Sequence, residues 1–278
     1  MSGSGKDALR ARSVADFGEQ WTHFRDNPGY YGSVALFADL VHPFFSPDAF
    51  RGANVADIGS GTGRIVRMLA EAGAATIVAV EPSAAMDVLG ENTRDLADRI
   101  TYRRQTGDQF TSDEPLDFVL SIGVLHHIPD PAPVVARMRA ALRPGGHAVI
   151  WLYGREGNGL YLAVAKPLRA VTTRLPHRAL LAVCRVLDVP VLAYIVACRH
   201  LRLPLWSYIR NHLGRLTPDV RRLTIYDQLN PRWAKYYTRD EAIALLETAG
   251  FAAVRAHHRH GYSWLVTGQN PASLSTPR

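Results

Sequence analysis

The sequence predicts an α/β fold: a mostly parallel seven-stranded sheet with an antiparallel last strand, an N-terminal helical lid and an inserted helical cap. Three observations predict it. Between residues 52 and 153, short apolar runs alternate with segments of helical period, the pattern of parallel strands joined by right-handed crossovers. From residue 154 to about 230 the alternation stops, and Leu, Val, Ala, Arg and Pro recur with a helical period. The chain then ends on two strand-like runs joined by "HHRHG", a hairpin signal. A hairpin makes the last strand antiparallel to its neighbour, expected here as an edge feature of the sheet.

The elements follow in order. Residues 5 to 45 contain "SVADFGEQWTHF" and "SVALFADLVHPFF", whose apolar positions recur every three or four residues, broken by "RDNPGYYG". The first strand is "NVADI", with a helix over 62 to 72; the second is "TIVAV", with a helix over 83 to 97. "RITYRRQ" and "LDFVLSI" are the third and fourth strands, a helix follows "PDPAP", and "HAVIWLY" is the fifth. After the insertion, "TRDEAIALLETAGF" opens with Thr238 and Glu241 at capping-box spacing, and "FAAVRA" and "YSWLVTG" are the last two strands. The expected division is a lid over 1–50, a core over 51–153 and 231–270, and a cap over 154–230.

A chain of 278 residues, 47% of them hydrophobic, can bury a full core. The opening "MSGSGKDALRARS" has no apolar stretch of export-signal type, and no window of uncharged apolar residues reaches spanning length, so a cytoplasmic location is expected. Cys184 and Cys198 lack metal-ligand spacing and are expected to be reduced core thiols. Charge is unevenly placed: residues 155–222 hold twelve Lys and Arg against Glu156, Asp188 and Asp219. An insertion this basic points to an anionic partner.

Chemistry concentrates at "NVADIGSGTGRI". Gly59, Gly61 and Gly63 fall on the first strand-to-helix turn, the usual ligand cradle of an open α/β sheet, where backbone amides and a helix N-terminus face an anionic group. Glu81 ends the second strand, where a carboxylate can accept both hydroxyls of a ribose. A dinucleotide fingerprint would place a sixth-position glycine where Arg64 stands.

The pattern "VADIGSGTGR" instead resembles the first motif of class I S-adenosylmethionine-dependent methyltransferases, whose fold is Rossmann-like. Three more signals follow in that family's order: "VAVEPS", "GDQF", and "LDFVLSIGVLHHIPDP" with "LRPGGHAVI". The resemblance implies S-adenosyl-L-methionine as cofactor. It would place Asp57 and the turn Gly59, Ser60, Gly61 and Gly63 at the methionine part, Glu81 and Pro82 at the ribose, Asp108 and Gln109 at the adenine edge, and Ser121 with Ile122 under the sulfonium.

"SIGV" lacks the Asn- or Asp-Pro-Pro-aromatic segment of enzymes that methylate bases, so no nucleic-acid substrate is expected. "VLHHIPDP" resembles the small-molecule, type 11 and quinone-biosynthesis-like branch. His127, with His126 as the second choice, is a candidate general base, the alternative being that both only shape the loop. No carboxylate–histidine cluster calls for a metal. Tyr153, Arg155, Asn158, Tyr237 and His260 are candidates for the acceptor pocket because their segments emerge at the same sheet edge.

The expected reaction is methyl transfer to a hydroxyl of a small molecule, such as a sugar or secondary metabolite. Methylation of carbon on a quinone or lipid-linked precursor, and a non-catalytic cofactor-binding role, are the alternatives. The basic insertion has two readings: a substrate cap with solvated charges, or an amphipathic surface, over 155–222, that rests on anionic lipid or admits an anionic or lipid-linked acceptor.

Overall fold

The computed structural model describes residues 3–272. Strands β1 (Asn54–Ile58), β2 (Thr76–Val80), β3 (Ile100–Arg103), β4 (Leu116–Ile122), β5 (Leu142–Tyr153), β6 (Ala252–Arg259) and β7 (Ser263–Gln269) form one sheet in the order β3-β2-β1-β4-β5-β7-β6. The first five are parallel, and β7 runs antiparallel to both β5 and β6. The antiparallel strand is therefore not at the edge, which corrects the expectation from the hairpin. β7 inserts beside β5 because "SWLVTG" is buried at six consecutive positions, whereas β6, with His257, His258 and Arg255, is largely solvent-facing and suits the edge.

β4 shows why the centre forms as it does. Its "LDFVLSI" is buried at six of seven positions, as a parallel strand covered on both faces requires. Helix α3 (Arg64–Glu71) packs Ile65, Val66, Met68 and Leu69 onto the sheet, together with α2 (Val34–Val41). On the other face α5 (Ala132–Ala141) and α10 (Arg239–Glu247) bury Val134, Val135, Met138, Ala242 and Leu246. Thr238 and Glu241 make the expected capping box, each side chain accepting from the other's backbone N–H.

Helix α1 (Gly3–His23) precedes the sheet, and α4 (Ala85–Asn92) follows β2. Between β5 and α10 lie α6 (Gly159–Thr172), α7 (His177–His200), α8 (Trp206–Asn211) and α9 (Pro218–Leu229). α7 is long and apolar enough to cross a membrane by length and composition, but one face packs inside the protein. There Leu180 and Cys184 meet Tyr226 and Leu229 of α9, and Asp188 pairs with Arg221, both side chains 8% exposed. That pair explains an aspartate in the middle of an apolar helix: a buried carboxylate needs a fork of donors, and Arg221 supplies one, with Nη2 to Oδ2 at 2.9 Å. Cys184 and Cys198 are free and buried, and burial pushes the Cys184 thiol up to about 12.

Candidate active site

A cavity of about 620 Å³ opens where the carboxyl ends of β1, β2, β4 and β5 meet α1 and α9. Its floor is the turn from Gly59 to Thr62, with Glu81 and Pro82 after β2, Thr106 to Asp108 after β3, and Ile122 to Val124 after β4. Arg10, Phe17 and Trp21 of α1 line it, as do Asp227 and Gln228 of α9. This is the crevice that an open α/β sheet offers a ligand.

The turn is built on backbone that only glycine tolerates. Gly59 takes φ 82°, and an added Cβ would lie 2.5 Å from Val124 Cγ2. Its N–H and that of Ser60 donate to the Val80 carbonyl at 2.8 and 3.0 Å, tying the turn to the end of β2. Gly59→Ala is expected to destabilise the fold by at least about 2 kcal/mol, since a left-handed side chain is strained even before the clash. Thermal melting checks it, and an unchanged Tm would remove the turn's steric role.

Glu81 is buried and organised. One carboxylate oxygen accepts from Gly61 N–H at 2.9 Å; the other accepts from Ser83 N–H at 3.0 Å and Ser83 Oγ at 2.6 Å. Two oxygens offer about four lone-pair positions, so the Gly61-bonded oxygen retains one for a ligand hydroxyl. Asp57 lies behind the turn, 1% exposed and not on the cavity wall, and its Oδ2 has no partner among the described residues. Burial pushes its carboxyl up to about 7, and the nearby Glu81 adds to the rise, while Ser60 and Arg64 oppose it.

An unpaired buried carboxylate and a glycine cradle fit a ligand bearing an ammonium group and a ribose. They also set a pH dependence. The folded pKa of Asp57 exceeds the ordinary 3.8, so its contribution to stability is fully present below about 3.8 and is lost as pH rises through about 7. Asp57 is off the cavity wall, so a ligand ammonium held at the turn in front of it would relieve that penalty through its field. The gain in Tm on adding S-adenosylmethionine is therefore expected to be larger near about pH 8 than near about pH 5. An equal gain at both would separate Asp57 from the ligand.

Asp108 lines the cavity and is ion-paired to Arg10 of α1, which also donates to Thr106 Oγ1 at 2.7 Å. The structure does not bring Gln109 to the cavity wall, nor Ser121, whose buried hydroxyl donates to the Ile58 carbonyl at 3.2 Å; Ile122 is there instead.

The two histidines separate cleanly. His127 lines the cavity, and its Nδ1 lies 3.0 Å from the Trp233 carbonyl. A carbonyl only accepts, so Nδ1 carries the proton and Nε2 keeps its lone pair. Burial lowers the His127 pKa, although Asp227 pulls it up, so the ring is neutral at pH 7. His126 is fully buried behind the wall, neither ring nitrogen has a partner within hydrogen-bond geometry among the described residues, and the ring stacks on Tyr153 at 3.8 Å. Burial holds it well below the usual imidazole range, and it packs as an apolar plate.

Of the acceptor-pocket candidates, Tyr153 and Asn158 reach the cavity and Arg155, Tyr237 and His260 do not. Tyr153 donates to Asp227 Oδ2 at 2.9 Å and accepts from Gln228 Nε2 at 2.7 Å. Asn158 spends its amide on the carbonyls of Gly154 and Tyr262, both at 2.7 Å, so it braces the loop. Arg155 is exposed, and Tyr237 is 3% exposed among core side chains. His260 and Gly261, at φ 49° and 74°, form the turn of the β6–β7 hairpin, where His260 bonds Asp39 at 3.0 Å. His257, His258 and Arg259, read as hairpin loop, belong to β6.

Sequence reasoning brings the segment 226–237 to this edge but selects Tyr237 from it, missing Asp227 and Gln228 of α9, and it names no side chain of α1. Gln20 donates to Asp227 Oδ1 at 3.0 Å, and Tyr161 of α6 donates to Gln228 Oε1 at 2.7 Å. Phe17 packs on His127 with ring centroids 4.7 Å apart. The one available signal was the polar pair Asp227–Gln228 within "LTIYDQL", a helix that otherwise buries Leu223, Tyr226 and Leu229.

A family model described as a methyltransferase domain matches residues 30–256. An uncharacterized methyltransferase of Mycobacteroides abscessus is 34% identical, over 53% of this chain and 62% of its own length. A ubiquinone biosynthesis O-methyltransferase of Alkalilimnicola ehrlichii is 29% identical, over 41% of this chain and 47% of its own. The match thus spans about half to three-fifths of these relatives' lengths. Among solved structures, the 1,6-didemethyltoxoflavin-N1-methyltransferase of Burkholderia thailandensis has a TM-score of 0.54 at 17% identity, covering 98% of this chain and 91% of that one. At such identity the likeness shows the shared fold. The magnesium protoporphyrin IX methyltransferase of Synechocystis, with S-adenosylhomocysteine bound, has a TM-score of 0.53 at 13% identity, covering 95% and 98%.

Proposed function

Because the chain belongs to the methyltransferase-domain family, we propose that it moves a methyl group from S-adenosylmethionine to a hydroxyl of a small, ring-bearing acceptor. The observation that carries the hydroxyl is His127: a neutral imidazole at the cavity wall, with Nδ1 committed to Trp233 and Nε2 left as a base. The named O-methyltransferase relatives support an oxygen acceptor. The ring follows from the walls, since Phe17, Trp151, Tyr153, Tyr161 and Tyr236 offer flat apolar faces with polar tips.

When bound, S-adenosylmethionine supplies a methyl group already activated for in-line displacement, so the protein's tasks are alignment and proton removal. Asp57, the Gly59–Gly63 turn and Glu81 would hold the methionine and ribose parts, and Asp108 the adenine edge. His127 Nε2 takes the proton of the acceptor hydroxyl. Asp227, fixed by Gln20 and Tyr153, stabilises the imidazolium that results. The aromatic walls exclude water from the acceptor.

The test is cofactor titration followed by incubation with phenols, alcohols, amines and activated-carbon acceptors, following S-adenosylhomocysteine and the methylated product by mass spectrometry. Methylated hydroxyls are expected. Transfer confined to nitrogen or carbon acceptors would overturn the reading of His127, and preference for NAD over S-adenosylmethionine would overturn the cofactor.

A further inference from the structure

All eight large apolar side chains that stand exposed among the described residues lie between 160 and 201. Leu160, Val164 and Val171 share one face of α6, at helical spacings of four and seven. Val186, Val189 and Val196 form a second stripe along α7, with Val186 and Val189 71% and 70% exposed. The opposite side of α7 is the one that packs on α8 and α9, so the outer stripe has no partner among the described residues. Single exposed valines need no explanation, but a run of them on two consecutive helices does.

The charges around these stripes have one sign. Arg174, Arg178, Arg185 and Arg199 are exposed, and no carboxylate pairs with any of them among the described residues. The acids of the segment are engaged elsewhere. Asp188 is buried against Arg221, Asp219 pairs with Arg222, and Glu156 accepts from Arg239 N–H and Trp264 Nε1.

We propose that the outer face of α6 and α7 docks on the surface of an anionic lipid bilayer. The valines and Leu160 enter the boundary between head groups and acyl chains, and the arginines meet the phosphates. Charge argues against a second copy of the chain, because a twofold contact through this face would set arginines against arginines. Nucleic acid would satisfy the cations and leave the valines in water. The Asp188–Arg221 pair on the inner side keeps α7 lying on the membrane, not through it. Tyr161, next to Leu160 on α6, lines the cavity, so a docked molecule holds one cavity wall against the lipid. The inference goes beyond the methyl-transfer reading and requires no particular acceptor.

The test is sedimentation of the full chain with vesicles of equal parts phosphatidylglycerol and phosphatidylcholine, against phosphatidylcholine alone. Binding to the anionic vesicles only is expected, falling at least about tenfold at high salt as exposed charges are screened. Val186→Glu with Val189→Glu, and separately Arg178→Glu with Arg185→Glu, should each weaken it about tenfold or more. S-adenosylmethionine titration of each variant reports its folding. No binding, equal binding to neutral vesicles, or wild-type binding by either folded variant would overturn the proposal. So would a dimer in ultracentrifugation that Val186→Glu disperses. Vesicle binding without cofactor binding would instead leave this surface standing and remove the methyl-transfer reading.

Discussion

His127→Ala is expected to lower kcat by about 10²–10⁴-fold, the contribution of a positioned general base, with little change in cofactor affinity. The proposed site separates the two effects because the residues assigned to the cofactor, the glycine turn and Glu81, are distinct from His127. The pH profile adds a second readout. Only the neutral imidazole accepts a proton, so kcat rises with pH and levels off, and burial places that limb below the ordinary 6.5. Asp227→Asn removes the charge that holds the imidazolium and should move the limb to still lower pH. Single-turnover rates at saturating cofactor across the pH range check both. Normal turnover by His127→Ala would leave the ring as a wall that packs on Phe17 and nothing more.

Glu81→Ala should weaken S-adenosylmethionine by about 1–3 kcal/mol, because buried donors lose their acceptor and the turn loses its anchor. Three donors are affected: Gly61 N–H, Ser83 N–H and Ser83 Oγ. Glu81→Gln keeps one acceptor oxygen and should lose less. Calorimetric titration measures both, and unchanged affinity in the alanine variant would take Glu81 out of the nucleoside site.

The sheet and the glycine-turn side of the cavity were legible because their signals are local. A strand end, a glycine that must turn and an acid at the next strand end lie within 25 residues, from Asp57 to Glu81. The acceptor side was not, because it is assembled across the chain: Gln20 meets Asp227 at a separation of 207 residues, and no period or motif marks such a pairing. His260 shows a different failure. Its position near the sheet edge suggested a pocket residue, but the hairpin needed positive φ there, and Asp39 took its ring. The edge-strand error had a readable cause. A hairpin says that two strands are antiparallel, and the continuous apolar run "WLV" of β7 was the clue that it lies inside.

Helix α1 is tethered along its length as well as packed into the cavity wall. It lies over the glycine turn with Trp21 beside Gly61, and two ion pairs tether it, Arg10–Asp108 in its first half and Arg25–Glu91 just past its end. Both pairs are partly open to solvent, so each is weak and sensitive to ions. Raising the ionic strength should therefore loosen these two tethers first and leave the helix held by its buried side, where Gln20 donates to Asp227 at 3.0 Å.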